Sequence, residues 1–404
     1  MNEHKRMNLG KVYFLYLFGV LFLQIIGLDG RSGTLETAWK IAVISCTMLY
    51  IVNKSAWRVS KQVVVPCMVY LIGQVLAYVF FSRATVNMFV NCAVVIGMTY
   101  MFVSMTLVGG DFKLEDMLWF IKAFIALMLY AVVYQLIMDP GAVFGALFRE
   151  SVYSDMMHSF FDNKQTFGMF LFVAIIVSCL GMALTKKRRY LAAAVLFFAM
   201  LFVCSSRTSL LACAVFVVLM LVLFFRSNKN LAFAVTLLVL LFVLAVLVVP
   251  SLNRFLTEVL FDTEKTVEAR EAIWEVSFRA MRGIKVLFGY GEGNVGEVIR
   301  GMDAEMVENA HNGFLHVFIT GGLIKLILYM AVMILSLRSI VRIYKHNIAL
   351  ANVFLAAMVG LIAFSMGESL VLLDTSSPCV AASIVVVAFP IALDGYYRRK
   401  HETD

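Results

Sequence analysis

The chain is short of charge. Asp, Glu, Lys and Arg make up 15% of its 404 residues, where a soluble domain carries about a quarter. Runs of 18 or more apolar residues recur from end to end, which excludes a soluble globular fold. Paired cysteines are also missing. Cys46, Cys67, Cys92, Cys179, Cys204, Cys213 and Cys379 all lie in or beside apolar runs, with no CxxC spacing. They read as small buried hydrophobes, against a disulfide framework or a metal site. Acidic residues are nearly absent from the apolar runs, which argues against ion-coupled transport. Glu368 and Asp374 stand at the end of the last pair of runs. Asp374 reads as solvated; Glu368 reads either way, as solvated or as the wall of a binding site. No repeat relates the two halves of the chain, and no Asp-rich or His/Glu cluster outside the apolar runs suggests a metal.

What is there is a polytopic α-helical membrane protein: 62% hydrophobic residues and a mean hydropathy of +0.90. The run from Val12 to Leu28 has no small-residue cleavage site after it and is expected to be a first span. The net charge of +8 is the positive-inside excess of such a protein and needs no nucleic acid to explain it. About twelve spans are expected, at 11–28, 37–53, 63–81, 88–108, 118–138, 166–184, 190–204, 208–225, 231–249, 313–336, 348–366 and 377–393. One side collects Lys5, Arg6, Lys11, Lys54, Arg58, Lys61, Lys113, the 186–189 KKRR run, Arg226, Lys229, Arg338, Arg342, Lys345 and Arg398 to Lys400. That side is expected to be cytoplasmic and to hold both termini. The chain then divides into spans 1–9 (1–249), a large external segment (250–312), and spans 10–12 with a cytoplasmic tail (313–404), all one integral-membrane domain.

Chemistry is expected on the outer face. His158, in the loop at 139–165 with Arg149 and Asp155, has no partner at ligand spacing and reads as an ordinary loop histidine. Asp162-Asn163-Lys164 precedes a span; Asp or Asn can cap it, and Lys164 can meet an anionic headgroup. Between the KKRR run and Arg226 lie 36 residues containing SSRTS at 205–209. Two spans need about 40, so Arg207 has almost no loop to carry it outward. An arginine so close to hydrocarbon points to function; the alternative is a snorkelling side chain.

The 250–312 segment is the largest polar surface of the chain. Arg270, Trp274, Phe278 and Met281 fall on one helical stripe, of a helix too polar to span and suited to the membrane surface. GYGEGN at 289–294 lacks the Lys-Ser/Thr of a P-loop and reads as a tight turn. His311 in ENAHNG sits just before the next span. The helix dipole there disfavours imidazolium and keeps a neutral base available; the plainer reading is that His311 or Asn312 caps the helix.

Arg207 in SSRTSLLA, Arg270 in EAREAIW before FGYGEGN, and His311 in AHNGFL form an ordered set. The set resembles the O-antigen ligase and polysaccharide polymerase family of bacterial membrane glycosyltransferases, over about 200–322, and DNKQTFGMF resembles that family's sixth-span start. The resemblance implies a GT-C-like fold and a multi-pass protein of the cytoplasmic membrane working on its outer or periplasmic face. It implies a polyprenyl-pyrophosphate-linked oligosaccharide as donor, an acceptor glycan, the bilayer itself, and a flippase and chain-length regulator as partners, with no cofactor or metal. On it, Arg207 and Arg270 bind the pyrophosphate and His311 is the general base. Asn312, Tyr290, Lys164 and Trp274 contact substrate or orient the site. The expected activity is a polymerase that joins repeat units; the alternatives are a ligase that transfers the glycan to a glycolipid, and a twelve-span transporter or flippase.

Overall fold

A computed structural model of the chain describes residues 8–25, 32–53, 67–73, 75–76, 86–99, 101–102, 112–148, 156–225, 264–291, 295–300, 310–374 and 376–403. Among them there is helix and turn and no strand, as backbone groups in hydrocarbon require. The elements used below are α1 (Leu9–Ile25), α2 (Ser32–Asn53), α3 (Val86–Thr99), α4 (Leu114–Met138), α5 (Pro140–Phe148), α6 (Lys164–Thr185), α7 (Arg188–Cys204), α8 (Arg207–Phe225), α9 (Glu264–Ala280), α10 (Lys285–Phe288), α11 (Val295–Arg300), α12 (Gly313–Ile343), α13 (Ile348–Gly367), α14 (Ser377–Ser383) and α15 (Phe389–Thr403). A π-helical turn, Ile384–Ala388, joins the last two.

Among the described residues six stretches are long and apolar enough to cross a membrane: Leu114–Met138, Lys164–Thr185, Arg207–Phe224, Gly313–Ile343, Ile348–Gly367 and Ser377–Lys400. Leu9–Phe22 is apolar but shorter. This is a multi-pass all-α membrane protein. Of the twelve expected spans, the ninth (231–249) lies outside the described residues, as do parts of 63–81 and 88–108. So do Lys5, Arg6, Lys54, Arg58, Lys61, Arg226 and Lys229 of the basic side, and Arg149 and Asp155.

The centre is α6. It is apolar all round, and such a helix must be surrounded. Phe167, Phe170, Phe172 and Ile176 are fully buried among α4, α7, α8 and α13. α7 and α8 have 17 and 19 residues, and only Ser205 and Ser206 separate them. The short halves read from the sequence are real, and Arg207 opens α8 with no loop before it.

α12 is longer than expected, at 31 residues, and kinks at Gly322 (φ 63°, ψ −161°). The kink leaves the carbonyls of Ile319 and Thr320 for other donors, and the amides of Tyr290 and Gly291 take them at 2.8 and 2.9 Å. The contact is backbone on backbone. A Cβ on Gly322 would stand 2.3 Å from the Leu287 carbonyl. The GYG stretch is therefore a turn that locks the 264–300 segment onto α12. The segment has its own apolar core: Ile273, Ala280, Met281, Tyr290, Val295 and Val298 pack with Ala310, Leu315 and Ile319, and with Trp274 beside them. On α9 the buried line runs through Ile273, Ser277 and Ala280, while Phe278, on the stripe read from the sequence, is 61% exposed.

At the far end of α12, Arg342 pairs with Asp394 of α15 at 3.0 Å, and Arg398 pairs with the same oxygen at 2.9 Å. Asp394 is 3% exposed.

Candidate active site

The site forms where α9, α12 and α13 present their ends to one another. Asn312, extended at φ −156°, caps α12: its Oδ1 accepts from the amides of Phe314 (3.0 Å) and Leu315 (3.1 Å). The cap is thus Asn312, and His311 is left outside the helix with its side chain free of that duty. His311 takes a left-handed backbone, φ 45°, uncommon for a residue with a Cβ. Two contacts hold it there. Trp274 Nε1 donates to the Ala310 carbonyl at 3.0 Å. Gly313 lies so close to the connection after α13 that a Cβ would stand 2.1 Å from the Leu370 carbonyl oxygen.

That close approach brings His311 to Glu368. Glu368 Oε2 is 3.2 Å from His311 Nδ1, and Glu368 Oε1 is 3.4 Å from Arg270 Nη2. Thr208 Oγ1 donates to the same Oε1 at 3.5 Å, the outer limit of a hydrogen bond. One carboxylate, 19% exposed, joins α9, the residue before the α12 cap, and the start of α8. The contacts of Arg270 and His311 with it are both longer than the ~2.7–2.9 Å of a tight charge-assisted bond. The side chains of Arg270 (28% exposed) and His311 (38% exposed) are open to an incoming group.

Arg207 is exposed and next to Thr208 in the chain. That neighbour's hydroxyl meets Glu368. Lys164 opens α6 behind its cap Asn163, whose Oδ1 accepts from the Thr166 amide at 2.8 Å. The Lys164 carbonyl accepts from Cys204 Sγ at 3.4 Å, which sets Lys164 beside the turn that carries Arg207. Tyr290 stands apart from the cluster: its hydroxyl donates to the Ala280 carbonyl (2.9 Å) and accepts from Lys285 Nζ (3.0 Å), and its ring is buried in the core of the segment. Trp274 and Asn312 shape the backbone on either side of His311. Glu292, Asn294, Glu308 and Asn309 lie outside the described residues.

Glu368 is the residue that sequence reasoning left undecided. The signal was present: an acid at the end of an apolar run in an acid-poor chain. Its partners were not legible, because Arg270 and His311 are 98 and 57 residues away. Among the described residues no three His, Cys, Asp or Glu side chains cluster to hold a metal ion.

The side chains of the cluster are of kinds that can hold an anion beside a base. A guanidinium pairs with phosphate oxygens in a fork. An imidazole with one ring nitrogen on a carboxylate keeps the other for proton transfer. No curated protein matches the chain. The family model described as O-antigen ligase matches residues 192–330, the stretch that holds Arg207, Arg270 and His311, so the resemblance read in the sequence is found again over that part of the chain.

Proposed function

We propose that the protein transfers an oligosaccharide from a polyprenyl pyrophosphate to a hydroxyl of an acceptor glycan, at the outer face of the cytoplasmic membrane. The observation that carries this is Glu368, shared between Arg270 and His311. In the proposed reaction Glu368 accepts the Nδ1–H of His311. This fixes the tautomer in which Nε2 has its lone pair. Nε2 takes the proton of the acceptor hydroxyl as its oxygen bonds to the anomeric carbon. The bond from that carbon to the pyrophosphate oxygen breaks, and the electron pair leaves with the pyrophosphate. Arg270 meets the charge that grows there, with Arg207 as a second cation at the start of α8. Base catalysis of this kind is worth typically ~10²–10⁴-fold, and a placed donor at a developing anion about 10²–10³-fold.

Two versions share this chemistry. In a polymerase the acceptor is a second lipid-linked repeat; in a ligase it is a finished glycolipid, the version for which the matching family is named. The sharp GYG turn and the HNGFL form favour the polymerase. The test is a deletion strain complemented with wild type, Arg207→Ala, Arg270→Ala or His311→Ala, with glycan profiles compared on gels. A single repeat unit on its acceptor, with no long chains, identifies a polymerase. Long lipid-linked chains that build up unattached identify a ligase. Normal glycan from all three variants at normal expression overturns the reading and moves the transporter or flippase alternative up.

A further inference from the structure

Glu368 has a second neighbourhood. It lines a cavity of about 270 Å³ whose wall also includes Asn163, Gln165, His316, Ser369 and Asp374. Among the described residues neither Arg270, Arg207 nor His311 lines it, and no lysine or arginine does; the charged groups on its wall are the two carboxylates. Met169, Phe364 and Pro378 supply an apolar part. The volume is close to the lower end, roughly 300 Å³, of sites that enclose small molecules. It has room for a sugar ring and not for a long glycan.

The composition selects the ligand. Glu368, whose charge Arg270 shares from outside the wall, and Asp374 present carboxylate oxygens here with no cation beside them on the wall; such a wall disfavours a phosphate or a uronic acid and accepts hydrogen bonds from hydroxyl or ammonium groups. The side-chain amides of Asn163 and Gln165 carry donors and acceptors together, which suits hydroxyls. An apolar patch suits the C–H face of a pyranose. The lipid pyrophosphate therefore has its counter-charge on the Arg270 side of Glu368 and not on the wall of this cavity.

We propose that the cavity is a subsite for the acceptor sugar, that it takes a neutral or amino sugar, and that it rejects anionic ones. The name acceptor rests on the function proposed above; the binding chemistry does not. A ring seated there has Glu368 on its wall and His311 one hydrogen bond beyond, so donor and acceptor approach the same carboxylate from opposite charge environments. Asp374, which reads as merely solvated from the sequence, becomes part of the selection against anions.

The test measures binding without turnover. Thr166→Cys and Ser376→Cys, at partly exposed and exposed wall positions respectively, are introduced separately into the full-length detergent-purified protein. Each is labelled with a water-soluble maleimide, with the unsubstituted protein as background. The probes are methyl glycosides of glucose, glucosamine and glucuronic acid. At ~100 mM, a neutral or amino glycoside that binds with a Kd of about 100 mM or tighter slows labelling about twofold or more. The glucuronide leaves it unchanged, and Asp374→Asn combined with either reporter narrows that difference. Equal protection by the glucuronide, no protection by any glycoside, or failure of both reporters to label overturns the proposal. The same labelling with His311→Ala added separates the two claims. Protection that survives in that protein supports the subsite, whatever the glycan profiles say of the reaction.

Discussion

The two ends of α12 carry the same electrostatic motif with opposite character. At one end Asp394 joins Arg342 and Arg398 at 3.0 and 2.9 Å and is 3% exposed. At the other, Glu368 joins Arg270 and His311 at 3.4 and 3.2 Å and is 19% exposed. The first is a closed clamp. Its carboxylate is out of water, its partners are at optimal distance, and it ties the last helix to α12. The second is loose and borders a cavity. Its carboxylate holds its partners near each other without consuming them. A carboxylate shared by two basic side chains stabilises when it is shut and becomes available for chemistry when it is not.

This contrast can be broken by substitution, and the largest effect is expected at His311. His311→Gln keeps the size and loses the base, so turnover should fall ~10²–10⁴-fold with an unchanged melting temperature; an active His311→Gln protein removes the general-base role. Arg270→Lys keeps the charge and loses the fork, and transfer should drop about 10²-fold; activity near wild type would refute bidentate pairing. Glu368→Gln should lower turnover roughly tenfold while leaving the fold intact, since its two contacts are long and partly solvated. Asp394→Asn should do the reverse, with near-normal turnover per folded molecule and a loss of about 1–3 kcal/mol in stability from the unmatched arginines, read as a lower melting temperature in detergent. Swapped outcomes for these last two would erase the distinction between clamp and site. The smallest effect is expected for Trp274→Phe, which loses one hydrogen bond to the Ala310 carbonyl, worth about 1 kcal/mol, and should show as a mild loss of turnover from a less well-placed His311.

Much of this was legible in the chain. Apolar runs marked out α4, α6, α8, α12, α13 and the last helix, because in hydrocarbon every backbone group must bond within its own segment and the sequence alone sets where that is possible. The crowding of SSRTS between two runs foretold the two-residue turn at Ser205 and Ser206. Arg270 and His311 stood out because polar residues are rare and their neighbours, EAREAIW and AHNGFL, are distinctive. What stayed hidden was tertiary. The stripe on α9 was legible, but not the second line beside it, in which Ile273, Ser277 and Ala280 are buried and Ile273 and Ala280 pack with Leu315 and Ile319 in the first turns of α12. The resemblance put Tyr290 among the residues that contact substrate or orient the site; its hydroxyl bonds to the Ala280 carbonyl and to Lys285 Nζ, apart from the cluster. The role of Glu368 needed the close passage of Gly313 beneath Leu370, a meeting of two backbones that no spacing in the sequence records.

His311 adopts a left-handed backbone conformation, φ 45°. For a residue with a side chain this costs on the order of 1–3 kcal/mol, and glycine would occupy the position without that cost. His311→Gly should therefore melt no lower than wild type while making no product. A position where the chain carries a residue its own backbone disfavours is one that selection for thermal endurance alone would have filled differently, and in a screen for hardier variants of this protein it is the substitution to discard.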